Sequence, residues 1–209
     1  MRKAHTRLTS VGLVFYMQLL NFDEINKATD VKEWLLSLKP SELMQPENRK
    51  RCEDLIWDLM EYLYVLGFKD AREDLGVVAE EMATFLPPDY MERKDEAMNK
   101  EYDGLNFTDR VREYAELGDV PSIIRVVETD GHRIYESGGL SGAWGIGHTK
   151  TWHTMEDERV RDTHEYIDGM TVGIDEAFFT YDGDSAQFPG DFSLPQNSIN
   201  CRCFLTYNR

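Results

Sequence analysis

Two cysteines near the end of the chain and a histidine upstream of them are the residues best suited to hold a metal ion. Cys201 and Cys203 lie two apart in an alternating, strand-like run, which places both thiols on one side. His164 precedes them on a predicted helix, and His153 or Asp157 could add a fourth ligand. Thiolate and imidazole are the usual ligands of tetrahedral zinc, although Cys-x-Cys is less diagnostic than Cys-x-x-Cys. The pattern predicts either a structural zinc site or two packed, reduced thiols.

The same histidine also has the neighbours that acid–base chemistry requires. Asp157 and Asp168 could orient the imidazole of His164, and Glu128 could supply a further carboxylate. Asp157 is equally well spaced to pair with Arg161, and such pairing favours a structural ion-pair network over a catalytic centre. No nucleophile with an obvious base accompanies these residues, so the catalytic interpretation is the weaker one.

These residues need a compact set of elements to position them. Thr154 followed three residues later by Asp157 resembles a capping box and predicts a helix over about 155–166. On that helix Asp157, Arg161 and His164 would share one face. Asp168-Gly169 then ends the helix or forms a tight turn. Short strands are predicted over residues 170–174, 178–181 and 199–206, with turns at Gly183 and at Pro189-Gly190-Asp191.

An ordered series of residues runs through roughly positions 120 to 206. It comprises Trp152, Thr154, Asp157, Arg159-Val160-Arg161, His164, Asp168-Gly169, Phe178, Pro189-Gly190-Asp191 and Asn200-Cys201-Arg202-Cys203. Upstream, it includes Arg125, Glu128, Arg133 and Ser137-Gly138, which match an Arg-x-x-Glu helix followed by a small-residue break. The series resembles the C-terminal domain of the phage head morphogenesis family, the Mu protein F-like minor head proteins. In a structural interpretation, Asn200 forms a turn and Arg202 clamps an acid such as Asp191.

The resemblance implies a binding protein and not an enzyme. It points to a minor head protein of a tailed phage or prophage that binds the portal protein and other capsid-assembly proteins, with contact to packaged DNA as a further option. The expected location is the virion, at the portal vertex or interior of the capsid, after assembly in the host cytoplasm. The competing hypothesis is a metal-dependent hydrolase or nuclease, or a toxin-like effector, centred on His164. Since the sequence stops at Arg209, soon after the motif, no C-terminal effector is expected.

Composition favours a folded protein that avoids anionic surfaces. The 209 residues are 41% hydrophobic, and the formal net charge is -16. Such a charge disfavours non-specific binding to DNA or anionic membranes. Three cysteines do not make a disulfide framework, which favours a reducing compartment. Neither a signal peptide nor a bilayer-spanning segment is expected.

The fold class predicted from these patterns is α+β, divided into a helical region over 1–106 and a Mu F-like domain of helices on a short, mainly antiparallel sheet over 107–209. Apolar spacing and breakers predict helices over about 8–22, 30–38, 47–68, 69–86, 108–117 and 121–137. Residues 87–106 are polar and charged, and are interpreted as a linker or an exposed, partly helical connection. Residues 138–147 are interpreted as a flexible, glycine-rich connection.

Overall fold

The computed structural model of the protein describes residues 27–77 and 86–209. Within these ranges six helices come first: α1 Lys27–Ser37, α2 Pro40–Leu43, α3 Pro46–Asp74, α4 Tyr90–Asn99, α5 Phe107–Leu117 and α6 Val120–Ala143. They are followed by β1 Thr149–His153, α7 Asp162–Glu165, β2 Thr171–Gly173, β3 Phe178–Phe179, β4 Ser185–Ala186, α8 Pro195–Ser198 and β5 Phe204–Asn208. The predicted α+β class is confirmed. The predicted helix over 8–22 lies outside the described residues, as does most of the second half of the one over 69–86.

The two longest helices, α3 and α6, form the centre of the helical region. Ile56 and Phe68 of α3 are buried against Ile123 and Ile134 of α6 in one apolar cluster, to which α1, α2, α4 and α5 also contribute. Burial of these apolar faces is the main source of helix stability, because isolated helices are marginal in water. No helix within the described ranges is both long and apolar enough to cross a membrane.

Glycines let α3 and α6 approach until their backbones touch. A methyl group at Gly67 would lie 2.0 Å from the backbone oxygen of Tyr135, and one at Gly138 would lie 2.0 Å from that of Tyr64. A methyl group at Gly142 would also meet backbone, at 2.3 Å from the oxygen of Phe68. The predicted helix ends near Gly67 and after residue 137 are therefore wrong. Here glycine serves close helix packing, and both helices continue through it.

The segment 87–106 is partly helical, as one of the two interpretations expected, but it is not exposed throughout. It contains α4, whose Lys94, Ala97 and Met98 are buried. The ammonium of Lys94 lies 2.6 Å from a carboxylate oxygen of Glu61 on α3, so α4 is fixed to the helical region by charge as well as by apolar contact. The division of the chain at residues 106 and 107 stays a prediction.

The C-terminal part is built on a three-stranded antiparallel sheet in the order β2-β1-β5, with β3 and β4 paired separately. The central strand, β1, was not predicted. Trp152 on β1 faces Leu205 on β5 in the register, and both side chains are buried. The predicted strand over 199–206 begins only at Phe204, so Cys201 and Cys203 precede it. The predicted strands over 170–174 and 178–181 are present but shorter, as β2 and β3.

Candidate metal centre and its bracing contacts

His164, Cys201 and Cys203 meet in the interior of the C-terminal part. The Nδ1 atom of His164 lies 3.3 Å from the Sγ atom of Cys203 and 3.8 Å from that of Cys201. All three ligand atoms lie within 4.8 Å of one another. The three residues expose only 1%, 5% and 4% of their surface, respectively. The group could bind a metal such as zinc, and the prediction that both thiols lie on one side is confirmed.

The local backbone that delivers these ligands differs from the prediction. Only α7, Asp162–Glu165, is helical where a helix over 155–166 was expected, and Glu156 has a φ of 50°. A positive φ is costly for a residue with a side chain, so this position interrupts helical geometry. The turn before the cysteines is also made by a positive φ, 55° at Asn200. Asparagine tolerates this conformation, as the turn interpretation requires.

Aromatic rings enclose the imidazole. Trp152 makes an edge contact with His164 at 5.6 Å between ring centroids, and Phe192 stacks on it at 5.2 Å. Phe178 makes an edge contact with Trp152, at 5.2 Å between ring centroids. The Nε2 atom of His164 has no hydrogen-bond partner in the described part of the chain. Packing against these rings fixes the orientation of the imidazole, and its Nδ1 atom is the nitrogen that contacts the two cysteine sulfur atoms.

The two thiols differ in acidity. The hydrogen bond from the Cys203 thiol, together with bonds from His132 and His164, lowers the pKa of Cys201 well below its ordinary value. The same contact with Cys201, reinforced by burial, raises the pKa of Cys203. The pair of thiols therefore favours a single negative charge, on Cys201, and opposes deprotonation of Cys203. A bound cation would reverse that opposition, because metal ligation deprotonates coordinating thiols.

Helix α6 adds a half-buried histidine, His132, and a buried acid, Glu136, that the sequence analysis did not assign to this centre. The Nε2 atom of His132 lies 2.8 Å from the backbone oxygen of Cys203. Burial alone lowers the pKa of His132, but the bond to Cys201 and the charge of Glu136 outweigh it and raise the pKa. Burial raises the pKa of Glu136 to about 8, and its carboxylate accepts a hydrogen bond from the backbone N–H of Leu205.

The two fourth ligands suggested by the sequence are engaged elsewhere. The Nε2 atom of His153 lies 2.8 Å from the hydroxyl of Thr206, and its ring stacks on Phe204. Asp157 accepts two hydrogen bonds from the Arg202 guanidinium, at 2.7 and 2.6 Å. These bonds hold the pKa of Asp157 at about 2. Sequence reasoning could have found His132 from its spacing of four residues from Glu136, which places both side chains on one face of α6.

The Arg202–Asp157 pair replaces two pairings that the sequence suggested. Arg202 does not clamp Asp191, whose carboxylate instead lies 2.5 Å from the ammonium of Lys100. Arg161 does not pair with Asp157, since its guanidinium donates to the backbone oxygen of Ile199. Arg202 thus ties the loop after β1 to the cysteine segment, and Arg161 ties the start of α7 to the same segment.

Asp168 organises the other side of the loop. Its carboxylate accepts a hydrogen bond of 2.7 Å from the backbone N–H of Thr154. Gly169 has a φ of 70°, and its N–H donates to the backbone oxygen of Trp152. Asp168 therefore closes the loop between β1 and β2, and does not orient His164 as the acid–base interpretation required.

The turn at Pro189-Gly190-Asp191 packs against the helices. The backbone oxygen of Gly190 accepts from the hydroxyl of Tyr102, and a methyl group at Gly190 would lie 3.0 Å from the Cβ atom of Arg133. Arg133 is itself buried and donates to the carboxylate of Asp130. The φ of 82° at Gly190 makes glycine the residue suited to this close approach.

The remaining predicted residues lie apart from the centre. Glu128 pairs with Lys32 of α1 at 2.7 Å, and both side chains are about half exposed. Arg125 is exposed one turn earlier on α6. The side-chain oxygen of Asn200 lies 3.4 Å from the hydroxyl of Thr129. The Arg-x-x-Glu pattern thus belongs to the helical surface and not to the metal centre.

A second buried brace was missed by sequence reasoning. Asp184 exposes 4% of its surface and accepts hydrogen bonds from the backbone N–H groups of Ser185, Ser193 and Leu194, from the Ser193 hydroxyl and from the Asn197 amide. These donors hold its pKa below the ordinary range, although burial works against them. An isolated Asp-Gly-Asp in sequence predicts only a turn, because most of the partners of Asp184 lie 9 to 13 residues further along the chain.

Comparison with known proteins supplies the family. A model of the phage Mu protein F-like proteins matches residues 94–206, more than half of the chain. A segment of 59 residues is 41% identical to the NAD(+)--arginine ADP-ribosyltransferase EFV of Enterococcus faecalis (strain ATCC 700802 / V583). That segment is 28% of this chain but only 12% of the enzyme. No solved structure matches. The chain belongs to the phage Mu protein F-like family, which is associated with head morphogenesis.

Proposed function

We propose that the protein is a minor head protein that binds the portal protein during capsid assembly and is carried in the head. The observation that carries this proposal is the family match over residues 94–206. Other capsid-assembly proteins are further partners, and the virion is its final location. With a net charge of -16, contact with packaged DNA would require a local basic patch.

The arrangement of the C-terminal part supports binding over turnover. Its most reactive groups, His164 and the two cysteines, are enclosed by protein, whereas several aromatic side chains face solvent. Tyr166 and Tyr181 are 57% and 60% exposed and make an edge contact at 5.8 Å. Tyrosines are enriched at protein interfaces because they combine a large apolar area with a polar end. We infer that this aromatic pair contributes to the portal contact.

Co-expression with the portal protein of the same phage or prophage tests the proposal. The full chain should co-purify with the portal protein and be detected by mass spectrometry in purified heads. The double substitution Tyr166→Ser and Tyr181→Ser should weaken co-purification. Leu117→Ser is the control, because it removes an apolar side chain from α5 that is even more exposed, at 72%. A protein that neither associates with the portal protein nor enters heads would overturn the proposal.

The local match to an ADP-ribosyltransferase keeps an enzymatic function as the second candidate. A toxin-like effector, or a metal-dependent hydrolase or nuclease centred on His164, would need substrate to reach that imidazole. With 1% of its surface exposed and rings of Trp152 and Phe192 against it, His164 offers no such access. Assays of NAD⁺ consumption and of nucleic-acid cleavage by the purified protein decide the matter. Turnover that is lost in a folded His164→Gln variant would favour the enzyme.

We also propose that the centre holds zinc in a structural role. Its donor set of two thiols and one imidazole suits zinc, and its enclosure fits a closed site better than one that exchanges substrate. Elemental analysis of the purified protein should find about one zinc per chain. His164→Ala should lose the metal and stability together. Retention of full stability after removal of zinc by a chelator would contradict the structural role.

A further inference from the structure

The stretch from residue 162 to residue 201 contains no lysine or arginine, although it contains eight aspartates and glutamates. These 40 residues therefore carry a formal charge of -8, which is half of the net charge of -16 of the whole chain. The exposed aromatic pair, Tyr166 and Tyr181, lies within this stretch. A surface of this charge favours a cationic partner, because complementary charge steers association and fixes orientation.

The two tyrosine rings form a corner that can receive a cation. The planes of Tyr166 and Tyr181 are 87° apart, their centroids are 5.8 Å apart, and both side chains face solvent. The face of an aromatic ring is electronegative and attracts a cation that lies within about 6 Å of its centroid. A cation in the corner between two perpendicular rings can contact both of them at once.

Acidic side chains stand beside both rings. The backbone N–H of Tyr166 donates to the backbone oxygen of Asp162, so Asp162 lies one turn before the ring, and Glu165 directly precedes it. Both acids are exposed, and within the described ranges their carboxylates have no hydrogen-bond or ion-pair partner. Asp182 directly follows Tyr181, and hydrogen bonds to its carboxylate lower its pKa and keep it ionised.

A buried amide connects the two segments that carry the tyrosines. Asn197 is 1% exposed; its side-chain oxygen accepts from the hydroxyl of Thr163 at 2.9 Å, and its N–H₂ donates to Asp182 at 3.2 Å. Thr163 precedes Tyr166 by three residues, and Asp182 is next to Tyr181. The amide therefore braces the corner before any partner arrives, which lowers the cost of ordering it on binding.

We propose that the corner between Tyr166 and Tyr181 binds an arginine side chain of a partner protein, with Asp162 and Glu165 supplying the opposite charge. Arginine suits the corner better than lysine, because its planar, weakly hydrated guanidinium stacks on aromatic faces. This inference rests on the portal contact proposed above and names the chemical group that this contact recognises.

Titration of the ¹⁵N-labelled full chain with short blocked peptides, followed by NMR, tests the ligand. The peptides are Gly-Arg-Gly, Gly-Lys-Gly and Gly-citrulline-Gly, of which the last keeps the shape of arginine without its charge. The arginine peptide should shift the backbone amide signals of residues 162–168 and 180–183. It should bind about tenfold more tightly than the citrulline peptide and more tightly than the lysine peptide.

Ring variants separate the ring faces from the hydroxyl groups. The double substitution Tyr166→Leu and Tyr181→Leu should weaken binding of the arginine peptide about tenfold, because it removes both ring faces. Tyr166→Phe with Tyr181→Phe keeps the faces and should bind nearly as the wild type does. The amide signals of the remaining chain show in the same spectra that each variant is folded.

Charge variants test the acids. Asp162→Asn with Glu165→Gln should weaken binding of the arginine peptide about fivefold at low salt. Glu92→Gln with Asp95→Asn is the matched control, since it removes the same two charges from the exposed side of α4 and should leave binding unchanged. An equal effect of the two double variants would overturn the role of Asp162 and Glu165.

The peptide series decides the rest of the proposal. Equal binding of the arginine and citrulline peptides would overturn a cationic ligand, and tighter binding of the lysine peptide would overturn the choice of arginine. The titration contains no portal protein. Co-purification of the wild-type chain with the portal protein would therefore still support the proposed function if the arginine peptide failed to bind.

Discussion

The close approach of α3 and α6 makes Gly138→Ala the sharpest test of the helical architecture. The added methyl group would lie 2.0 Å from the backbone oxygen of Tyr64 and 2.8 Å from its carbonyl carbon. Backbone cannot move aside as a side chain can, so the helices must separate by roughly 1 Å to restore ordinary contact. Overpacking of this kind costs about 3 kcal/mol at the upper end of its usual range. Alanine recovers about 1 kcal/mol of helix propensity.

The net destabilisation should be about 2 kcal/mol, which lowers the Tm of a chain of this length by about 4–8 °C. Circular dichroism during thermal and urea unfolding measures both quantities. Gly131→Ala is the matched control on the same helix. Its methyl group would lie 3.0 Å from the Cδ1 atom of Leu63, the end of a flexible side chain. That variant should stay within about 1 kcal/mol of wild type. If Gly138→Ala were as stable as Gly131→Ala, the reasoning from backbone contact would be refuted.

Three further outcomes follow from buried or paired charges. Asp184→Asn should lower the free energy of unfolding by about 3 kcal/mol, because the new amide N–H₂ would face the backbone N–H donors that the carboxylate now accepts from. The control Asp95→Asn changes an exposed residue and should leave the free energy of unfolding unchanged in the same urea titration. Burial lowers the pKa of Lys150 from 10.5 to about 8. Between these two pH values Lys150 keeps its proton in the unfolded chain and loses it in the folded chain. The free energy of unfolding of wild type, relative to that of Lys150→Met, should therefore rise by about 3 kcal/mol from pH 8 to 10.5. A difference between the two proteins that does not change with pH would contradict the burial argument. The bond from Arg202 lowers the pKa of Asp157 from 3.8 to about 2. The stability advantage of wild type over Arg202→Gln should therefore be complete above about pH 4 and disappear as the pH falls to 2, and a pH-independent advantage would exclude the ion pair as its source.

Sequence reasoning identified the three residues that meet in the C-terminal part better than it identified the backbone that holds them. Residue type alone selects His164, Cys201 and Cys203, since few other side chains bind soft metals. The helix over 155–166 failed because the cap and spacing rules consider only neighbours in sequence. Asp157 finds a stronger partner in Arg202, 45 residues away, and the loop follows that ion pair instead of forming helical turns. Long-range pairing of this kind leaves no local periodic signal.

The glycines of α6 show why its C-terminal half was misassigned. Propensity makes Gly138 and Gly142 helix breakers, and an exposed helix would indeed lose about 1 kcal/mol at each. Contact with Tyr64 and Phe68 of α3 compensates, because backbone-to-backbone packing over this crossing is available only to glycine. The information that decides the outcome lies in α3, some seventy residues earlier in the sequence. The glycines of α6 are unfavourable for an isolated helix, and they favour a helix here only because α3 packs against them.

The continuation of α6 to Ala143 matters for the centre and not only for the fold. Had the helix ended at residue 137, the chain would have been free to place β1 in many orientations. Instead β1 starts six residues after a helix end that is fixed against α3, and Trp152 reaches the edge of His164. His132 and Glu136 lie on the same helix and contact the segment from Cys201 to Leu205. One rigid helix therefore sets the positions of two strands and of the segment that carries the cysteines. Because these positions are coupled through α6, Gly138→Ala should weaken zinc binding as well as stability, although residue 138 contacts no ligand.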